Sequence, residues 1–141
     1  MSPRSLFIAF ALLLAGCGGK AVEWQKYTEQ NFENALYSNH PIILEVYAAW
    51  CGPCMKMKDE TFRDKRVVAS LDDFTRIKFD ASRRTDPEVR AAVGLFRISG
   101  YPAILFFNSG GKELADLRQS FMSADDLLDF IEYNRNRLFV S

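Results

Sequence analysis

Cys51 and Cys54 stand three positions apart in Trp50-Cys51-Gly52-Pro53-Cys54, a spacing at which two thiols close into a small disulfide or open into a dithiol. The chemistry this serves is thiol–disulfide exchange, in which a thiolate attacks a disulfide sulfur. The apolar run Ile42-Ile43-Leu44-Glu45-Val46-Tyr47-Ala48-Ala49 precedes the pair, and a helix-permissive segment follows it. A helix beginning at Cys51 sets the first thiol against unpaired N–H groups and the positive end of the helix dipole. Both favour the thiolate, so Cys51 is the expected nucleophile. Pro53 falls in the first turn, where its missing N–H costs nothing. Cys54, one turn deeper, is the shielded resolving thiol.

Other uses of the pair fit less well. A structural zinc site needs four ligands, and beyond the pair the chain has only Cys17 and one histidine, His40, in the turn Asn39-His40-Pro41. Covalent haem attachment requires histidine directly after the second cysteine, where Met55 stands. A purely structural crosslink would close too short a loop to stabilise much. Met55 and Met57 read as packing residues rather than soft-metal ligands. No metal or cofactor is expected beyond the redox-active pair itself.

The elements that must position this pair follow from periodicity. The run 42–49 is nearly continuous in apolar residues, as in a strand buried on both faces of a sheet. Glu45 interrupts it, and a buried lone carboxylate is costly when charged. It is therefore either turned outward or inward with a raised pKa and a proton to exchange. Thr28 caps an expected helix over 27–37, and the segment 55–61 continues the cysteine helix with Phe62 facing inward. A second helical stretch over 64–71 buries Val67, Val68 and Leu71. Residues 75–80 alternate as a strand, Ile77 and Phe79 on one side and Arg76, Lys78 and Asp80 on the other. Asp86-Pro87-Glu88 starts a helix that gives out near Gly94. A strand follows over 103–107, then a turn at Asn108-Ser109-Gly110-Gly111 into a further strand over 112–118. Ser123 caps a last helix with Leu127, Leu128, Phe130 and Ile131 as its buried stripe. Helix-separated strands predict parallel crossovers and the final hairpin an antiparallel edge, giving an α/β fold with a central mixed sheet and helices on both faces.

With 141 residues, 48% of them hydrophobic and twelve of them phenylalanine, the chain is long enough for one domain with a real core. Charges balance at 18 against 18, so no nucleic-acid or polyanionic partner is expected. Residues 1–16 read as an export signal: Arg4, an apolar run from Leu6 to Leu14, then small residues. That run is shorter than the roughly twenty residues a spanning helix needs. Leu14-Ala15-Gly16-Cys17 resembles the bacterial lipobox, which implies lipid on Cys17, a tether over 17–23 and a folded domain over 24–141. An unmodified Cys17 after an ordinary signal peptide is the alternative. The lipobox resemblance implies the bacterial cell envelope, lipid-anchored and facing the periplasm, and an exported chain meets an oxidising compartment. Gly18 in place of aspartate leans toward the outer membrane if the enterobacterial sorting pattern applies.

The pentapeptide at 50–54, with Gly100-Tyr101-Pro102-Ala103-Ile104-Leu105-Phe106-Phe107 far downstream, resembles the thioredoxin superfamily. The resemblance is closest to the C-terminal thioredoxin-like domain of the thiol:disulfide interchange protein DsbD, through Leu44-Glu45-Val46-Tyr47-Ala48, Thr61-Phe62 and Phe121-Met122. It implies a thioredoxin fold, Cys51 attacking, Cys54 resolving and Glu45 exchanging the Cys54 proton. Pro102 matches the family's cis-proline, whose loop meets substrate, so Trp50, Gly52, Pro53, Tyr101 and Pro102 are the expected substrate-binding residues. Where the DsbD domain has a second acid after the resolving cysteine, this chain has Lys58, with Asp59 and Glu60 displaced. The implied activity is that of a protein-disulfide reductase, acting on disulfide-containing envelope proteins and recharged by a membrane electron donor of the DsbD type. Alternatives are an oxidase or isomerase of the same fold, or a non-catalytic carrier of Cu(I) or a haem-maturation intermediate.

Overall fold

The computed structural model describes residues 19–140. Cys17 and the expected signal segment lie outside the described residues. Packing begins before Trp24: Val22 is buried, and its N–H donates to the Phe62 carbonyl at 2.8 Å. Two residues, Gln25–Lys26, form a short strand, β1, which left no periodicity to read. Helix α1 (Glu29–Leu36) is capped by the Thr28 hydroxyl, which accepts from the Asn31 N–H at 3.0 Å. Strand β2 (Ile42–Tyr47) follows, then α2 (Gly52–Asp59). A 3-10 turn over Thr61–Arg63 kinks the chain into α3 (Lys65–Ser70), whose cap is the Asp64 carboxylate. Strand β3 (Thr75–Asp80), helix α4 (Pro87–Leu95) with its Asp86 cap, and strand β4 (Ala103–Phe107) come next. Helix α5 (Ala124–Tyr133) opens with a reciprocal capping box between Ser123 and Asp126, and a single turn, α6 (Arg135–Leu138), ends the fold.

The sheet order is β1-β3-β2-β4, so the strand before the cysteines is central. β2 runs parallel to β3 and antiparallel to β4. Alternation along β2 divides the core. Ile43 packs with Met57, Phe62, Val67 and Ile131 from the α2, α3 and α5 layer. Ile42, Leu44 and Val46 pack with Ala35, Val89 and Ala92 from the α1 and α4 layer. Both faces of β2 are covered, which is why its apolar residues run without a break.

Two expectations need correction. The segment 112–118 is not a strand: it makes only isolated bridges, Phe107 to Glu113 and Ile104 to Gln119, around a 3-10 turn at Ala115–Leu117. Its buried apolar residues, Leu114 and Leu117, are three apart, a spacing that a helical turn and not an extended strand brings to one side. The antiparallel member of the sheet is therefore β4 itself, despite the helix before it. β3 ends with Asp80 beside Tyr47 and β4 begins with Ala103 beside Val46. A strand that starts at the end of the sheet where its predecessor stopped must run the other way.

Candidate active site

Cys51 is the N-cap of α2, and its sulfur accepts from the Cys54 N–H at 3.3 Å. The cap arises because Cys51 keeps extended backbone (φ −93°, ψ 109°) while Pro53 occupies the first helical turn. Behind it, the Cys51 N–H donates to the Ala48 carbonyl at 3.0 Å, closing the bend between β2 and α2. The two sulfurs are joined as a disulfide, with the α-carbons 5.3 Å apart. Access to them is unequal: Cys51 is 7% exposed and Cys54 is fully buried. Solvent touches Cys51 and not Cys54. Gly52 and Pro53 lie exposed between them.

The rim is aromatic. Trp50 is 52% exposed and meets Tyr101 edge-on, with ring centres 5.6 Å apart. Tyr101 also packs on the small cluster of Ala48, Cys51 and Cys54, so the loop 98–102 is brought against the disulfide. The Tyr101–Pro102 peptide is cis and Pro102 is buried. The structure thus gathers Trp50, Gly52, Pro53, Tyr101 and Pro102 around Cys51.

Sequence reading passed over the other wall, the loop after β3. The Trp50 indole donates to the Ser82 carbonyl at 3.2 Å, and the Ala49 N–H donates to the Ser82 hydroxyl at 2.8 Å. Ser82 donates through its N–H to the Asp80 carboxylate at 2.9 Å and through its hydroxyl to the same oxygen. Partial burial alone would raise the Asp80 pKa, but the two Ser82 hydrogen bonds, the Tyr47 phenol and Arg83 together hold the carboxyl below its ordinary value. The Arg84 guanidinium stacks over the Trp50 ring at 4.0 Å. One available signal was positional, since ligands of α/β sheets collect at the carboxyl ends of parallel strands, and Ser82 and Arg84 follow β3 as Trp50 follows β2.

Glu45 resolves inward. It is fully buried, on the face of β2 that α2 covers, since it alternates with Val46 and shares its side with Ile43. In the parallel register Glu45 lies beside Lys78, whose ammonium stands 3.1 Å from Oε2. Lys78, expected on the side of β3 opposite Ile77 and Phe79, stands there and points into the α2 layer, with its ammonium 4.5 Å from the centre of the Tyr47 ring and its side chain 18% exposed. A buried carboxyl beside it and an aromatic face make that position tenable for a cation. Neither Glu45 oxygen has an aligned hydrogen-bond donor among the described residues. Burial pushes the Glu45 carboxyl up, and Lys78 opposes that push without cancelling it. Burial likewise raises the Tyr47 phenol, with Asp80 adding to the effect. Lys58, Asp59 and Glu60 are all exposed on the far end of α2, and His40 is exposed in its turn.

This arrangement is a slightly exposed cysteine at a helix start, a sealed partner cysteine and a buried carboxyl of raised pKa on the strand face that the helix covers. Residues 11–124 match the family model Thioredox_DsbH, described as a protein of unknown function, DUF255. The thiol:disulfide interchange protein DsbD of Campylobacter jejuni is 32% identical over 104 residues, 74% of this chain and 18% of DsbD. DsbD 1 of Pseudomonas aeruginosa is 33% identical over 101 residues, 68% of this chain and 17% of that protein. The chain therefore spans less than a fifth of these relatives. Among solved structures, the oxidised C-terminal domain of Neisseria meningitidis DsbD superposes with a TM-score of 0.58 at 23% identity, covering 75% of this chain and 90% of that domain. Trxlp of Edwardsiella tarda gives 0.63 at 23%, covering 77% and 97%. A DsbH oxidoreductase gives 0.61 at 20%, covering 84% and 88%. The fold is that of thioredoxin.

Proposed function

We propose that this chain, which belongs to the Thioredox_DsbH family of thioredoxin-like proteins, is a thiol:disulfide oxidoreductase that reduces protein disulfides in the bacterial cell envelope. The observation that carries the reading is the unequal exposure of the two disulfide-linked cysteines, 7% at Cys51 and none at Cys54. In the reduced protein the Cys51 thiolate, favoured by the N-terminus of α2, attacks one sulfur of a substrate disulfide. The substrate S–S bond breaks, a mixed disulfide forms, and the departing thiolate takes a proton from solvent. Cys54 then gives its proton to the Glu45 carboxylate and attacks the Cys51 sulfur. The mixed disulfide breaks, the second substrate sulfur leaves as a thiolate that is protonated as Glu45 gives its proton back, and the protein is left oxidised as the Cys51–Cys54 disulfide. The substrate has gained the two electrons that the dithiol lost.

The reducing direction is supported by the Gly52-Pro53 dipeptide, which this chain shares with thioredoxin. Thioredoxin has a potential of about −270 mV, against about −120 mV for the strong oxidant DsbA. The relatives named thiol:disulfide interchange proteins support a membrane dithiol donor of DsbD type as the source of electrons. No helix among the described residues is long and apolar enough to cross a membrane. Lipid on Cys17 is the proposed link to the envelope membrane, with disulfide-containing envelope proteins as substrates. The test is insulin reduction with a chemical dithiol as donor. Turnover is expected and is abolished by Cys51→Ser, and the glutathione equilibrium places the potential near the thioredoxin end. A potential near the DsbA end reverses the direction, and stoichiometric Cu(I) binding without turnover replaces the enzyme with a carrier.

A further inference from the structure

Two consecutive residues hold the two ends of the loop that brings Tyr101 and Pro102 to the disulfide. At its upstream end, Arg118 Nη1 donates to the carbonyl of Phe96 at 2.6 Å and to that of Arg97 at 3.4 Å. These carbonyls close α4, where a cation also meets the negative end of the helix. Arg118 Nε donates to Glu113 Oε1 at 2.8 Å, and Nη2 donates to the same oxygen. Both side chains of the pair are 25% exposed, so it is more sheltered than an ordinary surface ion pair. At the downstream end, Gln119 exchanges both backbone hydrogen bonds with Ile104, each 2.9 Å.

The loop's first residues are tied back to α4 by their own backbone, but the stretch that follows is not. Among the described residues, the backbone N–H groups of Ser99, Gly100 and Tyr101 donate no hydrogen bond. Arg97, where the loop starts, has φ of 50° as the left-handed residue that ends α4: its N–H donates to the Gly94 carbonyl at 3.0 Å and the Ile98 N–H to the Val93 carbonyl at 2.9 Å. Beside the loop is a cleft of about 470 Å3, lined by Ser99, Gly100, Pro102, Arg118, Gln119 and Ser120.

We infer that Arg118 is a positioning residue for the substrate-facing loop. Through the carbonyls of Phe96 and Arg97 and the carboxylate of Glu113, it sets where the loop begins, while the next residue sets where it ends. The inference rests on the reading of 98–102 as the surface a protein disulfide docks on. It concerns the placement of that surface and leaves the sulfur chemistry untouched.

The experiment compares the wild-type protein with Arg118→Ala and Arg118→Lys. The lysine variant keeps a charge beside Glu113 but loses the planar fork that reaches the carbonyls as well. Three measurements are made: deuterium exchange over 97–104 in the oxidised protein, KM and kcat for insulin, and the rate with dithiobis(nitrobenzoate), a disulfide too small to span the loop. Arg118→Ala is expected to speed exchange in this segment and raise the insulin KM by about tenfold, and Arg118→Lys by about threefold, with kcat and the small-disulfide rate within about twofold of wild type. Should the alanine variant not fold, the lysine variant decides. Unchanged exchange and unchanged KM in a folded variant overturn the inference, as does a parallel fall with insulin and with the small disulfide. Wild-type protein that turns over neither disulfide sinks the oxidoreductase reading and the docking role with it. Wild-type turnover with an unmoved KM in the variants sinks the Arg118 assignment alone.

Discussion

Replacing Glu45 by glutamine separates the two halves of the proposed reaction. Cys54 is fully buried and so is Glu45, so bulk water has no direct route to the resolving thiol. Glutamine keeps the shape of the side chain but accepts no proton. A positioned general base contributes roughly 10²- to 10⁴-fold, so the resolution step is expected to slow by about 10²-fold or more. Attack by Cys51 on a small disulfide, which needs no proton from Cys54, is expected to keep its wild-type rate. Rapid mixing with a disulfide substrate, quenching with acid and resolving the mixed disulfide by mass measures both steps, and the variant accumulates the mixed species. The same substitution has a signature in stability. The folded-state pKa of Glu45 lies above its ordinary value because burial disfavours the charge. The native state therefore holds a proton that the unfolded state has released. That contribution is present below the ordinary value of 4.5 and is lost as pH rises through the elevated folded pKa. Within that window wild-type stability falls relative to Glu45→Gln, at up to about 1.4 kcal/mol per pH unit for one proton. Urea unfolding at a series of pH values reads this difference. A variant that resolves as fast as wild type, or a stability difference of the opposite slope, refutes the role assigned to Glu45.

Three further outcomes follow from the same geometry. Lys78→Met removes the cation that holds the Glu45 carboxyl down, so the pH profile of resolution shifts to higher pH; a profile that stays in place or moves to lower pH contradicts the pairing. Ser82→Ala deprives the Ala49 N–H of its acceptor and Asp80 of one donor, and is expected to cost about 1 kcal/mol in urea unfolding while altering Trp50 fluorescence. An unchanged emission spectrum would show that Ser82 does not seat the indole. Gly111 has φ of 79°, and a β-carbon there would meet the Leu36 carbonyl oxygen at 2.6 Å. Gly111→Ala is accordingly expected to destabilise by roughly 1–3 kcal/mol in the same assay, without changing the glutathione equilibrium.

Features carried by near neighbours in the chain were legible from the residues alone. The strand before the cysteines, the helix start at Cys51 and the caps at Thr28, Asp86 and Ser123 each depend on a few consecutive residues and on local periodicity. The burial of Cys54 one turn into that helix follows from the same local geometry. Features that depend on residues far apart were decided only by tertiary structure. Nothing near Glu45 in sequence says that Lys78 stands beside it, because strand register and helical cover together turn both into one layer. The seating of Trp50 on Ser82 and the closure of α4 by Arg118 join positions 32 and 22 residues apart. The antiparallel course of β4 likewise depends on which end of the sheet the chain re-enters. Local propensity carries the making of each element, but the direction a polar side chain faces is settled by where the other elements land.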